Sequence, residues 1–226
     1  MKLRNVGAII WDLDGTLLDS FQLFFDVVAE IAAESGLTMP TREVVLHNFH
    51  GSLEESIEAT LGIGSAKELT EIVDRFLVKQ DVRYQNLDGH LFNDAVKLAV
   101  KAAERGVVQL LLTNRAHEKR GHGSPRAIVA ASVLADCIHE IRCGDELVHK
   151  KPSAHAALDW LEKHKLKLSE VIVIGDQNVD AVLADNLGVR AILVKRHDFI
   201  PHYADKDKKA NHTIVTDLHS IEITDN

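Results

Sequence analysis

Asp12 and Asp14 stand one residue apart where the apolar run VGAIIW (6–11) stops, in the stretch WDLDGTLLDS (11–20). A buried carboxylate is expensive unless it is paired or bound to a metal, so acids in this position invite a cation. The Asp14-Gly15 pair supplies a tight turn. The simplest reading is a buried strand that ends here and presents both acids at its mouth; the plain alternative is a turn that carries acids without a task. Comparable groups follow other apolar runs: Thr113-Asn114 after VVQLLLT, and Gly175-Asp176 with Asp180 after VIVIG. Lys150-Lys151-Pro152 lies in the loop before the segment opening at Ser153. Each has an ordinary reading when taken alone. Asp176 and Asp180 could cap a helix, Thr113-Asn114 could open one, and two adjacent lysines are most often a solvated pair. Together, in order and at strand ends, they cluster acids, a hydroxyl, an amide and an ammonium along one edge.

The elements that must hold them follow from periodicity. Short apolar, β-branched runs recur at 6–11, 107–113, 171–175 and 191–195, with a weaker one, CIHEIRC, at 137–143; these predict buried parallel strands. Between them lie helical patterns. Phe92, Val96, Ala99, Val100 and Ala103 repeat at helix spacing, Ser124-Pro125 reads as an N-cap with a first-turn proline, and another helix is expected near Ser153. Strand and helix in alternation predict an open α/β sheet, whose ligands sit beyond the carboxyl ends of the strands. One connection is far too long. Some hundred positions separate Asp14 from Thr113, where a strand-helix-strand unit takes about 30 residues. The surplus is helically patterned: Phe21, Phe24, Phe25 and Val28 line one face, and Leu69, Ile72, Val73, Phe76 and Leu77 another. Ser52-x-x-Glu55 and Ser65-x-x-Glu68 each fit a capping box. The expected organisation is a core of residues 1–19 and 86–226 with a small helical domain, 20–85, inserted like a lid.

In sequence order, DxDGT, an apolar strand ending in Thr-Asn, a Lys before Pro, and GDxxxD opening GDQNVDAVLADNLGV resemble the haloacid-dehalogenase-like hydrolase superfamily over nearly the whole chain. NLDGHLFNDAVKLAVKAAERG is similar to the segment leading into the second motif in the phosphoglycolate-phosphatase and β-phosphoglucomutase branch, except that Asp88 stands where that branch often has Pro. The resemblance implies an α/β fold, a Rossmann-like parallel sheet core with an inserted helical cap. It also implies a Mg²⁺-dependent phosphatase that works through an aspartyl-phosphate. Asp12 would be the nucleophile and Asp14 the acid and then the base. Mg²⁺ would be held by Asp12, the Asp14 carbonyl and Asp176, with Asp180 fixing the surroundings of the metal. Thr113 and the Asn114 amide would bind phosphate oxygens, and Lys151, directly before Pro152, would neutralise charge. In the cap, His50, Gly51 and Ser52 resemble the loop this branch points at its substrate; a helix-joining turn is the alternative.

A net charge of −8 argues against a binder of nucleic-acid polymers. Only two cysteines occur, Cys137 and Cys143, which suits a reducing, cytoplasmic setting better than a disulfide framework. No apolar stretch approaches membrane-spanning length. The expected partner is a small phosphorylated metabolite, and the expected assembly a monomer or homodimer. Three rivals stay in view. A phosphomutase of the same branch would tend to carry arginine just after Gly51, where Ser52, Leu53 and Glu54 stand; a dehalogenase would lack the acid at Asp14. A phospho-accepting or binding module would not need the large insert. Finally, RAHEKRGHGSPR (115–126) is a basic loop in an acidic protein; Arg115, Lys119, Arg120 and Arg126 could reach an anionic part of the substrate or the cap.

Overall fold

The computed structural model describes residues 1–49, 52–87, 89–117, 121–197 and 209–224. It divides into two compact units, Met1–Leu18 with Leu91–Asn226, and Asp19–His90.

The first unit holds β1 (Lys2–Arg4) and β2 (Ala8–Trp11) before the insertion. After it come α5 (Asn93–Glu104), β3 (Val108–Leu112), α6 (Pro125–Ala130), β4 (Glu140–Arg142), α7 (Leu158–Lys163), β5 (Val171–Gly175), α8 (Asn178–Leu187), β6 (Arg190–Val194), β7 (His212–Val215) and β8 (Glu222–Thr224). The insertion forms the second unit and is given below. Among the described residues, six strands make one parallel sheet in the order β4-β3-β2-β5-β6-β7. All four residues of β2 are buried, as expected where helices cover both faces and no alternation is possible. Trp160 and Leu161 of α7 and Leu183, Ala184 and Leu187 of α8 join Ile10, Leu110, Leu112, Val171 and Val173 in one apolar core. Two other buried polar side chains of the sheet are matched: Trp11 Nε1 donates to Gln109 Oε1 at 2.8 Å, and Gln109 Nε2 donates to the Ala99 carbonyl at 2.9 Å. An unmatched amide there would cost about 1–3 kcal/mol.

Strand order fixes where a ligand belongs. The chain runs outward from β2 through β3 to β4, then crosses back to place β5 on the other side of β2. Crevices form at such a reversal, outside the carboxyl ends. Asp12 and Asp176 directly follow the two strands that flank it.

Several local expectations change. Phe92 is not on the body of α5 but caps it, with its N–H donating to the Leu17 carbonyl and the Arg196 guanidinium 3.9 Å from its ring centre. The helix expected at Ser153 begins instead as a 3₁₀ turn, Ala154–Ala156, and α7 follows. The cause is local: Ser153 N–H donates to the Lys150 carbonyl, closing a turn around Lys151. Strands β1, β7 and β8 carry no strong apolar run, and β1 pairs with β8 in a separate two-stranded sheet.

The second unit contains α1 (Ser20–Ser35), α2 (Arg42–Asn48), α3 (Leu53–Leu61) and α4 (Ala66–Tyr84). Phe24, Val28, Ile31, Val45, Ile57, Ile72 and Phe76 pack as its core. Ser52 forms the full capping box with Glu55. Leu77 faces solvent at 44% exposure, because the residue after buried Phe76 is turned about 100° away from the apolar stripe. Asp19 N–H donates to the His90 carbonyl at 2.8 Å, so the two ends of this unit meet.

Asp94, buried in the first turn of α5, accepts a fork of two hydrogen bonds from Arg196 at 2.9 and 2.8 Å and the Leu218 N–H at 2.7 Å. Burial alone would raise its carboxyl, but Arg196 and the backbone N–H groups hold it below the usual carboxylate range. Asp94→Ala should cost about 3–5 kcal/mol in urea unfolding at neutral pH, because it strands the arginine. A depressed folded pKa stabilises above the unfolded value and ceases to do so as pH falls through the folded one. The gap between wild type and variant should therefore close as pH drops below about 4.

Candidate active site

The mouth of the sheet is charged, and most of its charged groups are buried. Lys151, whose side chain is 3% exposed, places Nζ 2.6 Å from Asp12 Oδ1 and 2.7 Å from Asp180 Oδ1. The other Asp180 oxygen accepts the Gln177 N–H at 3.2 Å, so this acid both caps α8 and grips the lysine. Asp176 accepts from the Thr16 hydroxyl at 3.3 Å. Among the described residues, Asp12, Asp176 and Asp180 can each aim one oxygen so that all lie within 4.8 Å of one another.

Backbone features make this crowding possible. The Asp12 N–H donates to the Ile174 carbonyl at 2.9 Å, locking the first acid to β5. Gly15 has φ +77°, and a Cβ there would lie 2.2 Å from Asp176 Oδ2. A Cβ on Gly175 would lie 2.2 Å from Asp180 Cγ. Both glycines are therefore dictated by carboxylates that must come close to backbone.

Electrostatics follow from three carboxylates facing one ammonium. Burial pushes the Asp12 carboxyl up to about 7, against the pull of Lys151 and with a further push from Asp180. Burial, then the charges of Asp12 and Asp180, hold Asp176 well above the usual carboxylate range. Burial would depress Lys151, but Asp12 and Asp180 outweigh it and keep the ammonium firmly charged. The all-oxygen donor set with surplus negative charge fits a hard divalent cation such as Mg²⁺, which uses a few carboxylates and keeps waters. Asp12 and Asp176 would hold it with the Asp14 carbonyl, while Asp180, already engaged by Lys151 and Gln177, would steady the arrangement.

The remaining residues take distinct places. Thr113, buried at the end of β3, accepts the Arg115 N–H on its hydroxyl oxygen at 3.0 Å, which leaves its own O–H to donate. The Asn114 side-chain amide donates to the Lys151 carbonyl at 3.1 Å, fastening the lysine turn. Lys150 is exposed. Asp14 points to Arg115, which donates through Nε at 3.0 Å and through Nη2. Reading the sequence alone missed this pair; the only signal was an arginine directly after Thr113-Asn114. In the basic loop, Arg126 is spent on Glu146, and Lys119 and Arg120 lie outside the described residues. So do Asp88, His50 and Gly51. Ser52 lies in the helical unit, its hydroxyl committed to the Glu55 N–H.

Residues 9–194 match the model of the haloacid dehalogenase-like hydrolases. The chain belongs to that family. As a haloacid dehalogenase-like hydrolase it is an enzyme, and its parallel sheet with flanking helices is the fold of its structural neighbours. The phosphoglycolate phosphatase of Rhodospirillum rubrum is 25% identical over 195 residues, 83% of this chain and 78% of the relative. That of Vibrio vulnificus strain YJ016 is 28% identical over 206 residues, 83% of each chain. The crystal structure of a predicted phosphoglycolate phosphatase from Haemophilus somnus shares the fold with a TM-score of 0.72 over 95% of this chain and 96% of that one, at 15% identity. Among the described residues no helix is long and apolar enough to cross a membrane.

Saturating Mg²⁺ should raise the melting temperature. At a hundredfold excess over Kd the gain is about 2.7 kcal/mol, or roughly 5–10 °C at this chain length. Asp176→Asn should melt higher than wild type without metal, since it removes a carboxyl whose ionisation burial and the neighbouring acids oppose, yet show no response to Mg²⁺. Gly15→Ala, which displaces Asp176, should lose the response too. An unchanged Mg²⁺ shift in both variants would place the cation elsewhere.

Proposed function

We propose that this haloacid dehalogenase-like phosphatase hydrolyses a small phosphomonoester through an aspartyl-phosphate on Asp12, with Mg²⁺ as its cofactor. One observation carries the reading: Asp12 lies buried at the strand reversal with Lys151 on one oxygen and Asp176 and Asp180 beside it. Phosphoryl transfer needs an in-line nucleophile and positive charge around the equatorial oxygens rather than elaborate covalent machinery.

Lys151 binds Oδ1 and turns the carboxylate so that an Asp12 oxygen attacks phosphorus. Thr113 donates its free O–H to a phosphate oxygen, and Lys151 adds positive charge. Asp14 gives a proton to the leaving alkoxide, then takes one from the water that cleaves the P–O bond to Asp12. A bound Mg²⁺ would supply charge neutralisation between the attacking carboxylate and the phosphate oxygens. Asp14 suits the double duty because its side chain is 32% exposed, whereas Asp12 is closed in beside it.

The relatives named phosphoglycolate phosphatase put phosphoglycolate first among candidate substrates, ahead of sugar phosphates and nucleotides. The buried, unpaired thiols Cys137 and Cys143 support a cytoplasmic setting.

Phosphate release from a panel of phosphomonoesters tests the proposal. Turnover should require Mg²⁺, stop with EDTA and vanish in Asp12→Asn, while Asp14→Asn should lose about 10²–10⁴-fold on substrates with alkyl leaving groups. Turnover that survives both EDTA and Asp12→Asn would defeat it.

A further inference from the structure

Arg115 is built as a support rather than as a surface charge. Its side chain is 13% exposed, and its donors are directed inward. Nε and Nη2 fork onto the two oxygens of Asp14, and Nη1 donates to the Gly123 carbonyl at 3.0 Å. Its backbone is pinned on both sides: the N–H donates to Thr113 Oγ1 at 3.0 Å, and the carbonyl accepts the Gly144 N–H at 2.9 Å. A Cβ on Gly144 would lie 2.2 Å from the Asn114 carbonyl oxygen, so only glycine permits that approach. The guanidinium thus reaches Asp14 from a fixed base.

This geometry defines what Asp14 has left. Each carboxylate oxygen has two lone pairs. Among the described residues the fork is what this carboxylate accepts, one lone pair on each oxygen, which leaves one on each, on a group that is partly exposed. A bidentate arginine fixes the plane of the carboxylate as a single lysine would not.

Resting on the aspartyl-phosphate reading above, we propose that Arg115 is a positioning residue for the second half of the reaction, aiming the Asp14 carboxylate at the water that releases phosphate from Asp12. In that step the water oxygen forms the new bond to phosphorus and the Asp12–phosphorus bond breaks. Its electron pair returns to the Asp12 carboxylate, and the water proton passes to a remaining Asp14 lone pair. The first half makes less demand on this aim when the leaving group departs without a proton.

The test is rapid-quench kinetics with p-nitrophenyl phosphate and Mg²⁺, whose leaving group needs no acid. Wild type is compared with Arg115→Ala, Arg115→Lys and Asp14→Asn. Arg115→Ala should slow steady-state turnover about tenfold or more while p-nitrophenol still appears rapidly in the first turnover, so that phosphoenzyme accumulates beyond its wild-type level. Arg115→Lys should fall between, keeping a cation but losing the fork. A merely structural role would slow both halves together and leave the phosphoenzyme level unchanged; that result overturns the inference. Should Arg115→Ala fail to fold, the same comparison is read from Arg115→Lys. Accumulation in Asp14→Asn but in neither Arg115 variant would refute the role of Arg115 alone. Absence of phosphoenzyme in every protein would refute the underlying reading instead.

Discussion

The contact on which this structure depends is the buried ammonium of Lys151 between Asp12 and Asp180. It joins three distant parts of the chain: the end of β2, the loop after β4 and the first turn of α8. Removing one partner from such a cluster leaves uncompensated buried charge, at a cost of several kcal/mol. The lysine offsets only one of three neighbouring carboxylates, and burial, with the neighbouring negative charge, holds the carboxyls of Asp12 and Asp176 above their usual range. A divalent cation is the economical remedy, since it would draw these acids into their charged forms and neutralise the cluster.

The fold can be understood as what holds that cluster together. Parallel strands end at the same edge, and the reversal between β3 and β5 around β2 opens the crevice there. Hydrogen bonding from Asp12 to Ile174 and from Asn114 to Lys151 then sets the acids and the lysine in register. Glycines 15 and 175 supply the space that side chains would deny. Arg115 extends the same logic outward, so that Asp14, the more open acid, is also directed by a cation.

Much of this was legible because the motifs sit directly on the strands that carry them. VVQLLLT and VIVIG had to be buried on both faces, so their polar followers had to lie at one edge. Other features left weaker traces. β7 and β8 are partly exposed strands, without the unbroken apolar runs of β3 and β5. Phe92 matched the helical period of α5, yet its backbone and ring serve Leu17 and Arg196 instead. Sequence spacing relates neighbours on one element. It says little about partners a hundred positions apart, which is why Arg115 looked like part of a basic loop and is in fact the partner of Asp14.

The most direct test of the central claim is to quench the enzyme with acid during turnover, reduce it with borohydride, and map the product by peptide mass spectrometry. An acyl phosphate on Asp12 is reduced to the alcohol, so homoserine should appear at position 12, only when both substrate and Mg²⁺ are supplied. Homoserine at another position, or none at any position while phosphate is being released, would contradict the account.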